Sequence, residues 1–485
     1  VLIGLVDTGI DYRSPLFQNP DGTTRIAGIW DQSVPIEEGV LPAGVPDYYP
    51  MGGSSYGTEY TREQINEALA SDDPLSLVPT QDTIGHGTFL AGLSAGSSIP
   101  QEDFTGAAPE AELAVVKLKP AKKYLRDFYL IPSDAPAFQE NDIMMGIKYL
   151  RMMADRLKKP LVILLAMGSN SGSHIGTSPL SQVTQNYSGF FGIITVIACG
   201  NETGAAHHFY ASIPAGTEYE DVEIRVGKEE AERGFVLELW AADADTYTVG
   251  FISPSGERIS RIPIIANNET SIPFLLDATT ITVNYQLIEA ESGSQLIFMR
   301  FQTPAAGIWT VRVYNTQRFK GTFHMWLPVQ GMISEETVFL RPDPYSTITV
   351  PGNSRLPITV GAYDTSTGGI YIHSSRGFTP NQIVKPELAA PGVNILGPSV
   401  GRKPGSDTPM TTRTGTSAAA AITAGAAANL LGWGIVEGNY PTMSEASVKS
   451  YLIRGAQRNP ALTYPNREFG YGTLDLFQTF LRLRE

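Results

Sequence analysis

The chain has 485 residues, 42% of them hydrophobic, which is enough for one large globular domain and a smaller one. Its 35 Lys and Arg against 49 Asp and Glu leave a net charge of −14, which repels phosphate backbones and anionic lipid and argues against nucleic acid or a membrane surface as partner. The single cysteine, Cys199, excludes an internal disulfide framework, and no apolar run reads as a membrane span.

The first segment, VLIGLVDTG, reads as a buried strand ending in a glycine turn, with Asp7 just past its carboxyl end. A chain that opens inside a strand points to upstream residues removed or left out, so targeting and localisation are not readable from it. In TREQINEAL, Thr61 and Gln64 form a capping box that starts a helix. TIGHGTFLAG sets His86 between two glycines ahead of a helix of small residues. ELAVVKL (112–118) is a strand. The segment 141–159 carries Ile143, Ile147, Leu150, Ala154 and Leu157 along one helical stripe. The strands PLVILLAMG (160–168) and FFGIITVIACGN (190–201) follow. Apolar strands alternating with helices predict an α/β domain with a parallel sheet covered on both faces.

Near residue 212 the texture changes to short alternating runs such as DVEIRV, FVLELWA and GIWTVRVYN. Val222, Ile224 and Val226 fall on one face, Glu223 and Arg225 on the other. Many such strands without helices predict an all-β jelly roll or β-sandwich inserted over 212–345. The α/β texture returns over 346–485 with SRLPITVGAYD, the alanine-rich TRTGTSAAAAITAG (412–425) and a helix over 445–458. The expected organisation is an α/β domain made of 1–211 and 346–485 around a β-insert.

Three segments carry candidate chemistry. Singly, Asp7 is a turn former, His86 a structural histidine and Ser417 an N-cap. Jointly they supply what a serine nucleophile needs: an imidazole to take its proton, and a carboxylate to fix the imidazole's tautomer. With D-T-G at Asp7, H-G-T at His86 and G-T-S at Ser417, in that order, the chain resembles the subtilases. The resemblance implies a subtilisin-like fold and a serine endopeptidase with Asp7, His86 and Ser417 as its triad. It further implies that Asn201, in ACGNETG, donates to the oxyanion beside the Ser417 N–H. LLAMGSNSG (164–172) matches the strand that lines the subtilase specificity pocket, so Gly168, Ser169 and Asn170 either touch substrate or serve the fold alone.

The chain departs from most subtilases in having Ala418, Ala420 and Ala421 where Met, Pro and His follow the serine, and Phe89 where a second His follows H-G-T. GTEYTREQINEAL, GHGTFLAG, GTSAAAAITAG and the β-insert are together similar to the Csp-type germination proteases of clostridia and their relatives. That resemblance implies a self-cleaved prodomain as a partner, a spore-associated or extracytoplasmic setting and a rigidifying insert. It implies as substrate the zymogen of a cortex-degrading hydrolase. Some members of that group are silent pseudoproteases with a binding or signalling role, an alternative that the intact triad argues against.

No cofactor is expected, and no metal, because His207 and His208 lack a third ligand and read as a loop pair. Glu202 either attracts a basic substrate side chain at a pocket rim or, more simply, is a solvated loop carboxylate. Cys199 reads as a buried inert thiol, and Asp243 with Asp245 as a turn. Trp240, Trp309 and Trp326 read as sandwich core. The expected partner is a protein or peptide substrate.

Overall fold

The predicted apolar runs assemble into one eight-stranded sheet in the computed structural model, which describes residues 1–35, 56–242, 244–265, 269–401 and 409–483. Its strands include β1 (Leu2–Asp7), β2 (Ile26–Asp31), β3 (Thr58–Thr61), β4 (Glu112–Lys117), β5 (Leu161–Leu165) and β6 (Ile193–Ala198). The order across the sheet is Leu388–Pro391, Ile358–Tyr363, β6, β5, β1, β4, β2, β3. Neighbours run parallel except β3, which pairs antiparallel with β2. Both faces are covered, so β1, β5 and β6 are wholly buried and apolar apart from Asp7 at the end of β1 and Thr195 in β6.

On one face lies the helix Glu140–Leu157, whose Ile147, Leu150 and Met153 pack with Val6, Val116 and Ile163. On the other lie the helices His86–Ala95 and Thr416–Leu431. Their Leu90, Ala91, Ala420 and Ala424 join Leu5, Leu164 and Val360 in the larger core cluster. Alanine ends at Cβ, so the Ser417 helix approaches the sheet closely, and Ala418–Ala421 are all buried. The continuous helical run Thr416–Val436 holds a stretch with a mean hydropathy of 1.5 and is long and apolar enough to cross a membrane by length and composition. This corrects the expectation that no run qualifies: the alanines join Ile422, Leu430, Leu431, Ile435 and Val436 in one helix with no charged residue to interrupt it. In the fold, 67% of its most apolar window is buried inside the protein.

The strands from His208 to Phe339 form two further sheets with antiparallel pairing. One holds Tyr219–Val226, Thr246–Ile252 and Gly307–Gln317, edged by Arg258–Ile259 and Val338–Phe339. The other runs Glu269–Phe274, Thr279–Gln286, Leu296–Gln302, Phe235–Ala241, Thr322–Trp326, His208–Ser212. Val222, Ile224 and Trp309 from the first sheet share one core with Leu237, Met299 and Phe323 from the second. Asp245 is fully buried and accepts the main-chain N–H groups of Lys320 at 3.0 Å and Gly321 at 2.6 Å, so it anchors a neighbouring turn. Asp243 lies outside the described residues. Where the insert meets the α/β part, His174 stacks on Trp326 at 4.0 Å, and buried Glu238 accepts the Gly172 N–H at 2.9 Å.

Candidate active site

Asp7 closes β1 at the carboxyl end of the sheet, where open α/β sheets place their ligands. It is buried, and its Oδ1 accepts the Thr8 N–H at 2.7 Å. His86 starts its helix directly after Gly85, whose φ of 78° is in the left-handed region. Its Nδ1 lies 2.8 Å from Asp7 Oδ1 and 3.0 Å from Oδ2. A Cβ on Gly87 would sit 2.1 Å from the Gly9 carbonyl oxygen, so only glycine lets the helix start rest on the turn after β1. Burial pulls the His86 pKa down, and the Asp7 carboxylate, through charge and hydrogen bond, outweighs it and leaves the pKa above its ordinary value.

Asp82 organises this approach. It is buried and accepts the main-chain N–H groups of Ile84 (3.1 Å), Gly85 (2.7 Å) and Thr88 (2.9 Å) together with the hydroxyls of Thr8 (2.9 Å) and Thr88 (2.8 Å). Sequence reasoning passed over Asp82. The signal was an Asp placed ahead of a glycine and a helix start, the usual setting of an Asx turn.

Ser417 is the second residue of its helix, after Gly415. Its hydroxyl donates to the Ala166 carbonyl at 3.3 Å, and among the described residues no hydrogen bond joins it to His86. The two pairs are thus arranged differently. Asp7 and His86 are hydrogen-bonded, whereas Ser417 and Asn201 share the lining of a cleft of about 180 Å³. Asn201 Oδ1 accepts the Thr416 N–H at 3.0 Å, which fixes the side chain at the start of the Ser417 helix. That helix end favours negative charge in the cleft. A serine hydroxyl, a histidine held by a carboxylate and an amide donor at a helix start can together perform acyl transfer.

Of the three residues expected to contact substrate, Gly168 lines the cleft. A Cβ there would come within 2.3 Å of Thr349 Oγ1. Neither Ser169 nor Asn170 is among the residues that line the cleft. The Ser169 main chain is paired in both directions with Val350, at 3.0 and 2.9 Å. Asn170 is buried, with its amide donated to Glu202 at 3.2 Å and the Leu327 carbonyl at 3.1 Å. Glu202 is a buried lining residue, not a solvated loop carboxylate. His207 and His208 are not a loop pair. His207 Nδ1 lies 3.2 Å from Glu202, and His208 sits on a strand with Nε2 2.9 Å from His324 Nδ1. Cys199 is buried, and burial pushes its thiol up to about 12. Among the described residues no three His, Cys, Asp or Glu side chains are grouped to hold a metal. The cleft also takes Val329 and Gln330 from the insert, which sequence reasoning did not connect to it.

A family model described as the Subtilase family matches residues 1–253 and 341–472, leaving most of the insert between them. The Arabidopsis thaliana subtilisin-like protease SBT3.5 is 23% identical over 498 residues, an alignment covering 94% of this chain and 58% of that protein. The chain therefore spans less than two thirds of that curated relative's length. The solved structure of the Clostridium perfringens CspB protease superposes with a TM-score of 0.85 at 29% identity, covering 100% of this chain and 93% of the other.

Proposed function

The chain belongs to the subtilase family and is a subtilisin-like serine protease, and from that premise we propose that Ser417 is its nucleophile, with His86 as general base and Asp7 as the carboxylate that orients the imidazole. Asn201 Nδ2 and the Ser417 N–H form the oxyanion cradle. Ser417 Oγ adds to the peptide carbonyl carbon while its proton passes to His86 Nε2. The tetrahedral oxyanion is held by the two N–H donors, and collapse expels the amine, which takes the proton from His86. Water then repeats the sequence on the acyl-enzyme. The single observation that carries this reading is the 2.8 Å contact between His86 Nδ1 and Asp7 Oδ1. The Ser417 hydroxyl rests on Ala166 in the free enzyme; catalytic hydrogen bonds are commonly loose before substrate enters and tighten with it.

In this reading the α/β segments 1–211 and 346–485 form the catalytic domain and 212–345 the inserted one. The resemblance to Csp-type proteases supports limited proteolysis of a germination zymogen as the physiological reaction, after the enzyme has removed its own prodomain. The test is cleavage of an unfolded protein substrate together with the zymogen of a cortex-degrading hydrolase. The wild type cleaves both, with the zymogen cut at one position, and Ser417→Ala cleaves neither. Activity retained by Ser417→Ala contradicts the nucleophile, and a zymogen left intact or degraded throughout contradicts the substrate.

A further inference from the structure

The insert supplies one side of the cleft. After the strand Thr322–Trp326 the chain runs to the α/β part, where Val329 and Gln330 line the same space as Ser417 and Asn201. Glu202 holds them there. Its Oε1 accepts the Gln330 main-chain N–H at 3.2 Å, and its Oε2 accepts Asn170 Nδ2 and His207 Nδ1, both at 3.2 Å. The same Asn170 amide donates to the Leu327 carbonyl at 3.1 Å. A buried carboxylate next to Asn201 in sequence thereby ties the insert to the cleft, and a buried charge with protein donors on both oxygens is costly to displace.

We propose that the insert is a specificity determinant: Val329 and Gln330 form one wall of the pocket that receives the substrate side chain on the acyl side of the cleaved bond, and the pocket takes an uncharged residue. This rests on reading the cleft beside Ser417 and Asn201 as the substrate site. The facing residues, Ala166, Met167 and Gly168, are neutral. Glu202 is the ionisable lining residue among those described, and its oxygens are turned to protein donors. A cationic side chain has to compete with those donors, and an anionic one meets a buried like charge. Gln330 itself is exposed at the rim, so a charge placed there acts on the ligand rather than on the folded core.

Binding to the full Ser417→Ala chain reads the pocket without turnover, so its outcome is separate from that of the nucleophile assignment. The probes are fluorescein-labelled Ala-Ala-Ala-Xaa peptides with a free carboxylate, Xaa being Leu, Gln, Lys or Glu, followed by anisotropy. Leu and Gln bind about tenfold tighter than Lys and Glu. Adding Gln330→Glu tightens Lys relative to Leu by about tenfold, and adding Gln330→Lys does the same for Glu. Ratios unchanged within about twofold in both variants overturn the insert wall, and Lys as the tightest ligand of the parent chain overturns the uncharged pocket.

Discussion

The Thr8 hydroxyl donates to Asp82 at 2.9 Å and accepts the Gly87 N–H at 2.9 Å, so one side chain from the end of β1 clamps both the loop before His86 and the helix that follows it. The residue on one side of Thr8 in sequence is Asp7, and the residue on one side of Gly87 is His86. The Asp7–His86 contact is therefore set by a second, buried polar layer.

Asp82 accepts three donors on Oδ1 and two on Oδ2, and an amide in its place keeps one acceptor oxygen and turns an NH2 donor toward the remaining donors. Asp82→Asn lowers stability by about 2–3 kcal/mol, because buried N–H and O–H groups lose their partners. It also lowers kcat by more than KM changes, because His86 is no longer fixed. Thermal unfolding and steady-state kinetics on a peptide substrate measure the two effects separately.

Asp7→Asn is expected to lower kcat by roughly 10⁴-fold with the fold retained. Its second signature is in the pH profile. Because His86 is raised above its ordinary value by Asp7 against the opposing effect of burial, the acid limb of kcat/KM in the wild type lies above pH 6.5. Without the carboxylate charge, burial dominates and the limb moves to lower pH.

Asn201→Ala lowers kcat by about 10²–10³-fold and leaves KM nearly unchanged, the pattern for an interaction made in the transition state alone. A rise in KM at constant kcat would instead make Asn201 a ground-state substrate contact.

His208 and His324 give the insert an acid limit. Burial holds both below the ordinary imidazole value, His324 at about 3, and their facing nitrogens, 2.9 Å apart, leave room for one proton. The unfolded chain binds protons near pH 6.5 that the folded chain refuses. Stability from this pair is thus complete above that pH and falls as the pH drops from there toward about 3. His324→Phe keeps a ring in the stack on Trp326 and flattens the acid side of a plot of Tm against pH.

What was legible in the sequence was local. The motifs around Asp7, His86, Ser417 and Asn201 each fit within a few residues of a strand end or helix start, and the helix over Glu140–Leu157 announced itself by its stripe. What depended on chain segments far apart was not. The burial of Glu202 comes from Asn170, His207 and Gln330 converging on it, and no spacing reveals that. His207–His208 looked like a polar loop because Trp326 and His324, which cover His208, lie more than a hundred residues away. The insert's part in the cleft was hidden for the same reason. The pairing of the Ser169 main chain with Val350 likewise joins segments far apart in the chain, which no local pattern reveals.

The most direct measurement is labelling with a fluorophosphonate followed by peptide mapping. One adduct on the wild type, on the peptide carrying Ser417, with none on Ser417→Ala and strongly slowed reaction of Asp7→Asn, is the expected result. An adduct of equal yield on Ser417→Ala, or a wild type that stays unmodified, contradicts the account.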